Sequence, residues 1–132
     1  MITNHKKIRL IFAVALVGFS AVSGNSYAGC RIFQHRDYGG SGYTLDHFEE
    51  MKMVNGESLG CSTGGHGDGC LSTTYEPSWN DQVSSFRLSG GCTLTLWEHV
   101  NRGGARFRST RSYKYVGDDW NDEASHALCM CR

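Results

Sequence analysis

Along most of the chain apolar and polar residues alternate one by one, the period of a strand with a single buried face. Leu94 and Leu96 face one way while Thr93 and Thr95 face the other. Ala105 and Phe107 alternate with Arg106 and Arg108, and Phe86 and Leu88 with Ser85 and Arg87. No long stretch repeats at helical spacing, the one candidate turn lying between Leu45 and Met53. The runs are short and interrupted by Gly39-Gly40 and Gly103-Gly104, and such pairs supply the positive φ angles of tight hairpins. The pattern predicts an all-β chain.

The chain also repeats itself. WNDQVSSFRL at 79–88 has an echo 41 positions on, WNDEASHALC at 120–129. Upstream, CRIFQHRDYGGSGYTL (30–45) aligns with LTLWEHVNRGGARFRS (94–109), Phe33 falling on Trp97, Gly39-Gly40 on Gly103-Gly104 and Tyr43 on Phe107. Each copy reads as strand, glycine turn, strand, connection, then WND and a last strand. Eight short strands in two equivalent quartets predict a β-sandwich of two packed sheets.

The exception to the alternation is the first 28 residues. Lys6, Lys7 and Arg9 precede a nearly unbroken apolar run from Leu10 to Val22, and Ser26-Tyr27-Ala28 ends in a small residue. This reads as a secretory signal peptide, too short and wrongly flanked for a membrane span. A lipoprotein signal with anchoring at Cys30 is the minor alternative, but Tyr27 occupies the usual aliphatic position. Residues 29–132 then form one domain that is secreted or periplasmic, with no membrane insertion after cleavage. They carry 10 basic and 13 acidic residues, a net charge of −3. That leaves no basic footprint for nucleic acid.

All six cysteines follow residue 28, and an even count in an exported small domain reads as three disulfides. Cys61 and Cys70, eight residues apart in a glycine-rich loop, are expected to pair. The repeat places Cys30 and Cys92 at the starts of first strands and Cys129 and Cys131 at the end of the last. Cys30 and Cys92 are therefore each expected to take one of the other two, which one remaining open. A zinc site at Cys61, His66, Asp68 and Cys70 is the competing reading, but the spacing matches no standard zinc pattern.

Aromatic-x4-aromatic-x-Gly (Phe33, Tyr38, Gly40) followed by Asn/Asp-Asn/Asp-x-x-Ser/Thr-Ser (Asn80 to Ser85) resembles the βγ-crystallin Greek-key motif. Two motifs, at about 30–90 and 92–131, cover essentially the whole of residues 29–132. The second copy departs at two places: Arg102 stands where the second aromatic is expected, and His126 where the final serine is expected. By strand alternation His126 is expected to face solvent. The resemblance implies two four-stranded antiparallel Greek-key sheets, each holding a strand borrowed from the other motif. It also implies two calcium sites of moderate to low affinity. Asp81 and Asp122 would supply carboxylates, Ser84 and Ser125 hydroxyls, and Gln82 and Glu123 main-chain carbonyls. A carbonyl from the opposite arch would complete each, near Glu98 for the first and Gln34 for the second. Calcium takes six to eight oxygen ligands of mixed kind, which such segments can offer.

The two copies differ most in length. From Phe107 to Trp120 is 13 residues, from Tyr43 to Trp79 36, so the first motif carries an insertion of about 23 residues within about 50–75. A long loop on a rigid β scaffold is a place for function, here a protein partner, as in a secreted protease inhibitor or small toxin. Catalysis is not expected. No nucleophile elbow or zinc-protease helix motif occurs, and the neighbouring pairs Glu49-Glu50 and Asp118-Asp119 need not converge as catalytic carboxylates do. With the resemblance, the expectation is an exported, disulfide-stabilised calcium-binding protein with a structural or stress-related, non-catalytic role.

Overall fold

The computed structural model describes residues 28–60 and 70–132. The signal segment, and Cys61, His66 and Asp68 with the zinc alternative they carry, lie outside the described residues. Cys70 is disulfide-bonded, and Cys61, its expected partner, is among those outside.

Eight strands follow in chain order: β1 (Gly29–His35), β2 (Gly39–Asp46), β3 (Glu49–Lys52), β4 (Ser72–Tyr75), β5 (Ser85–Ser89), β6 (Cys92–His99), β7 (Gly103–Ser109) and β8 (His126–Cys131). The candidate turn between Leu45 and Met53 is mostly strand, the ends of β2 and β3 with a short turn between them. The strands form two sheets, one of three strands in the order β2-β1-β5 and one of five in the order β4-β3-β8-β6-β7. The fold is the expected all-β sandwich, but its sheets hold three and five strands rather than four and four.

Two local causes account for the uneven division. The first-motif strand β3 crosses to the second sheet and pairs antiparallel with β8, the exchange a Greek-key pair implies. The return exchange is reduced to one isolated bridge, Phe86 with Tyr113. Just before it the Ser109 hydroxyl accepts from Arg111 N and donates to Arg111 O, tightening the chain into a turn. Tyr113 then serves as a wedge, its ring packed on Phe86 and Phe107. The additional strand comes from the insertion: β4 pairs parallel with β3. A parallel neighbour requires a crossover of a dozen residues or more, which the insertion provides.

Between the sheets lie Ile32, Leu45, Met51, Phe86, Leu94, Leu96 and Ala127, with Val83 and Ala124 from the WND loops. Each of these strand residues falls on the inner phase of its alternation, so burial follows directly from the period. Cys30 is bonded to Cys129, joining β1 of one sheet to β8 of the other. Cys92 is bonded to Cys131, its direct neighbour across the β6–β8 ladder. No helix among the described residues is long and apolar enough to cross a membrane.

Candidate functional site

Each WND segment makes a tight turn at the mouth of the sandwich. Asp81 and Asp122 hold almost the same left-handed angle, φ 56° and 60°, a conformation Asp tolerates better than most residues. The turns interlock. Asp81 N donates to Ala124 O and Asp122 N to Val83 O, at 3.0 and 3.3 Å. Gln82 N and Glu123 N close their turns on Trp79 O and Trp120 O. Ser84 N and Ser125 N then bond Phe33 O and Trp97 O on the two arches, both at 2.9 Å. The repeat is thus a pseudo-twofold pair of loops, each fastened to an arch and to the other loop.

At the first loop three oxygens converge. Ser84 Oγ lies 2.8 Å from Gln34 O and 3.3 Å from Asp122 Oδ1. The hydroxyl and arch carbonyl come from the first motif and the carboxylate from the second. The structure brings Ser84 together with Gln34 and Asp122, whereas the sequence reading sets it beside Asp81 and Glu98. Motif order along the chain cannot show that the arch belongs to the same motif while the carboxylate crosses over.

At the second loop Ser125 Oγ donates to Asn80 Oδ1 at 2.7 Å. That hydroxyl is thus bonded to Asn80 rather than to Asp122 or Gln34, the residues with which the sequence reading groups it. The carboxylate of Asp81 is held instead by Asn80 Nδ2 at 2.9 Å. Glu98 spends its side chain on its own arch, Oε2 accepting from Ala105 N at 3.1 Å. The second loop has the same backbone as the first but a different hydrogen-bond partner for its serine. Among the described residues neither Asp81 nor Asp122 is in an ion pair.

The arches also share a backbone and differ in chemistry. Asp37 and Tyr38 have φ 56° and 62°, Asn101 and Arg102 φ 56° and 60°. Gly40 and Gly104 both sit at φ +73°, where a Cβ would lie 2.6 Å from the His35 ring and 2.9 Å from Glu98 Oε2. In the first arch Phe33 and Tyr38 pack ring to ring at 5.6 Å. Ser85 pins the turn, donating to His35 O at 2.6 Å and accepting from Tyr38 N at 3.1 Å. In the second arch Arg102 lies over Trp97, and the Trp97 and His126 rings meet edge to face at 5.2 Å.

His126 does not face solvent as strand alternation suggests. It lies on the outer face of its sheet, yet is only 1% exposed. Its Nε2 meets Glu50 Oε2 at 3.0 Å, and Arg102 Nη2 meets the same oxygen at 3.1 Å. Thr73 Oγ1 donates to Glu50 Oε1 at 3.0 Å. Burial pushes the His126 pKa below its ordinary value, although Glu50 pulls the other way. Facing a carboxylate, Nε2 donates, and Nδ1 is buried with no partner among the described residues. Burial by itself would raise the Glu50 carboxyl, but Arg102, Thr73 and His126 together hold it below the usual range. The neighbouring Glu49 bonds Tyr43, Asp46 N and Thr74, so the two carboxylates serve separate networks.

Glu50, Arg102 and His126 form the cluster that sequence reasoning missed. A readable signal existed: the second motif departs from the pattern at both 102 and 126, and the two departures meet in space.

No protein-family model matches the chain, and no curated protein matches it. Solved structures do. A βγ-crystallin domain from Clostridium beijerinckii superposes with a TM-score of 0.55 at 17% identity, covering 77% of this chain and 97% of that one. The N-terminal domain of Protein S gives 0.54 at 15% identity, with 79% and 97% covered. A βγ-crystallin domain from Flavobacterium johnsoniae gives 0.52 at 19% identity, with 78% and 94% covered. The chain has the βγ-crystallin fold.

Proposed function

We propose that this chain is an exported, disulfide-stabilised protein that binds calcium at its two WND loops in a structural or stress-related, non-catalytic role. The observation that carries this is the convergence of Ser84 Oγ, Gln34 O and Asp122 Oδ1 at the first loop. A hydroxyl, a carbonyl and a carboxylate on three separate segments form a donor set of oxygens alone, suited to a hard cation. Asp122 would bring the charge, and the carbonyl of Gln82 lies on the turn that carries Ser84. At the second loop Ser125, Asp81 and the carbonyls of Glu98 and Glu123 would play the corresponding parts. The Ser125–Asn80 bond would have to give way first.

Other features are consistent with this role. The disulfides suit an oxidising compartment, as does the apolar leader. His126 and Glu50 are locked together in a buried cluster rather than open to a substrate. Extracellular calcium modules bind with Kd on the order of 0.1–1 mM. Titration calorimetry on chelator-stripped protein should give saturable heat in that range. No heat up to about 5 mM calcium contradicts the proposal.

A second reading, a protein-docking insertion, draws support from Leu59, which stands 63% exposed there. A partner taken from a secreted fraction by the native chain, and lost with Leu59→Asp, would favour it.

A further inference from the structure

We infer that the inserted segment governs the second calcium loop, with Glu50 as the positioning residue that connects them. This presupposes that the WND loops bind calcium, and takes up what distinguishes them.

Each loop serine has its carbonyl held from outside its own segment. Ser84 O accepts from Val116 N at 2.9 Å, and Ser125 O from Met53 N at 3.0 Å. Val116 belongs to the short connection of the second motif. Met53 follows directly on β3 and leads into the insertion. The second loop is therefore fastened to the root of the insertion, and the first is not.

Glu50 adds the side-chain part of this connection. It stands on β3, 6% exposed, and its two oxygens reach three elements. Oε1 accepts from Thr73 on β4, a strand that exists only because of the insertion. Oε2 accepts from Arg102, in the arch that carries Trp97 and Glu98, and from His126, the residue after Ser125. Ser125 N in turn bonds Trp97 O. One carboxylate thus fixes the spacing between the arch and the serine, the two pieces that must close on an ion.

Among the described residues no side chain joins the insertion to the first loop's arch and serine. There the arch is held by Ser85, with His35 O and Tyr38 N, and by Asp37 N donating to Lys114 O in the second motif's connection at 2.8 Å. The consequence is directional. Drawing β4 away from β3 removes Thr73 from Oε1, frees the carboxylate to turn, and loosens arch and serine at the second loop only. By linkage, calcium at the second loop should hold β4 in place in return. Residues that hold ligands through a second contact typically change metal affinity when altered.

The test is a calcium titration of the folded, oxidised full-length mature chain, read by backbone amide NMR, with the first loop as internal control. In the native protein the amides of Ser84 and Asp122 should follow one curve and those of Asp81 and Ser125 another. Glu50→Gln should weaken the second curve about tenfold and leave the first unchanged. Thr73→Val should weaken the second about two- to threefold. Thr73→Ser, which keeps the hydroxyl, should restore it. Thr73→Val and Thr73→Ser decide the matter if Glu50→Gln does not fold. Equal weakening of both curves, or of neither, overturns the inference. No calcium-dependent shift in the native chain overturns the calcium proposal itself, and this inference with it.

Discussion

The two motifs put the same backbone to work with different side chains. Their arches agree within a few degrees at every left-handed position, and their WND turns are pinned by corresponding hydrogen bonds. In the first motif a neutral device fixes the arch: Tyr38 against Phe33 and Ser85 beneath the turn. In the second, Arg102 and His126 replace those residues and share Glu50. A charged, buried device has taken over a neutral one's task. The lesson concerns cost as well as substitution. A hydroxyl needs only a nearby carbonyl and amide, whereas a buried carboxylate must have every partner present. The second motif is thus tied to the insertion that supplies Thr73, and the first is tied instead to the second motif's short connection, through Asp37 N to Lys114 O and Val116 N to Ser84 O.

The strongest way to break the comparison is Glu50→Ala, which leaves His126 and Arg102 without their acceptor. Removing one partner of a buried pair costs about 3–5 kcal/mol. Arg102 has a half-exposed side chain and can turn to water, so the expected loss is about 3 kcal/mol, at the low end. Ser85→Ala does the corresponding damage to the first arch by removing two hydrogen bonds, at about 1–2 kcal/mol. Denaturant unfolding of both variants checks the ordering, and a larger loss for Ser85→Ala would reverse the contrast.

A smaller effect should appear with pH and only through the second motif. Burial holds the His126 pKa below its ordinary value of 6.5, ahead of the opposing pull from Glu50. The unfolded chain therefore takes up a proton the fold refuses, and stability declines as pH falls below 6.5 toward the folded pKa. The Glu50 carboxyl is held below 4.5, so the decline continues below that pH. Thermal melts of chelator-treated protein should show both limbs, and His126→Phe should flatten the upper one.

How much of this was legible in the chain follows from where the information lies. Period two at Leu94 and Leu96 places both correctly in the core, because a strand's alternation is local. The WND repeat likewise locates both loops. Local pattern does not reach across the sandwich, however, and gave no sign that Ser84 meets Gln34 O and the Asp122 carboxylate. It gave no sign of β4 either, since Ser72-Thr73-Thr74-Tyr75 has no apolar phase to reveal which face it buries. The cysteines show the same limit. Cys129 and Cys131 share one face of β8, their sulfurs 3.9 Å apart, so alternation cannot choose between them. Glu50 looks like half of a solvated acidic pair because its partners Arg102 and His126 lie 52 and 76 residues away.

The closing measurement is the melting temperature of the oxidised protein with chelator and with about 1 mM calcium, for the native chain, Ser84→Ala and Ser125→Ala. With Kd near one tenth of that concentration, an occupied site stabilises the fold by about 1.4 kcal/mol, a rise of several degrees for a domain of this size. The native chain should show the full rise. Ser84→Ala should lose the larger part, because the first loop already gathers its oxygens. Ser125→Ala should lose the smaller part, because its hydroxyl is engaged with Asn80. Identical melting with and without calcium in the native chain would contradict calcium binding at the repeat, and a larger loss for Ser125→Ala would contradict the inequality of its two loops.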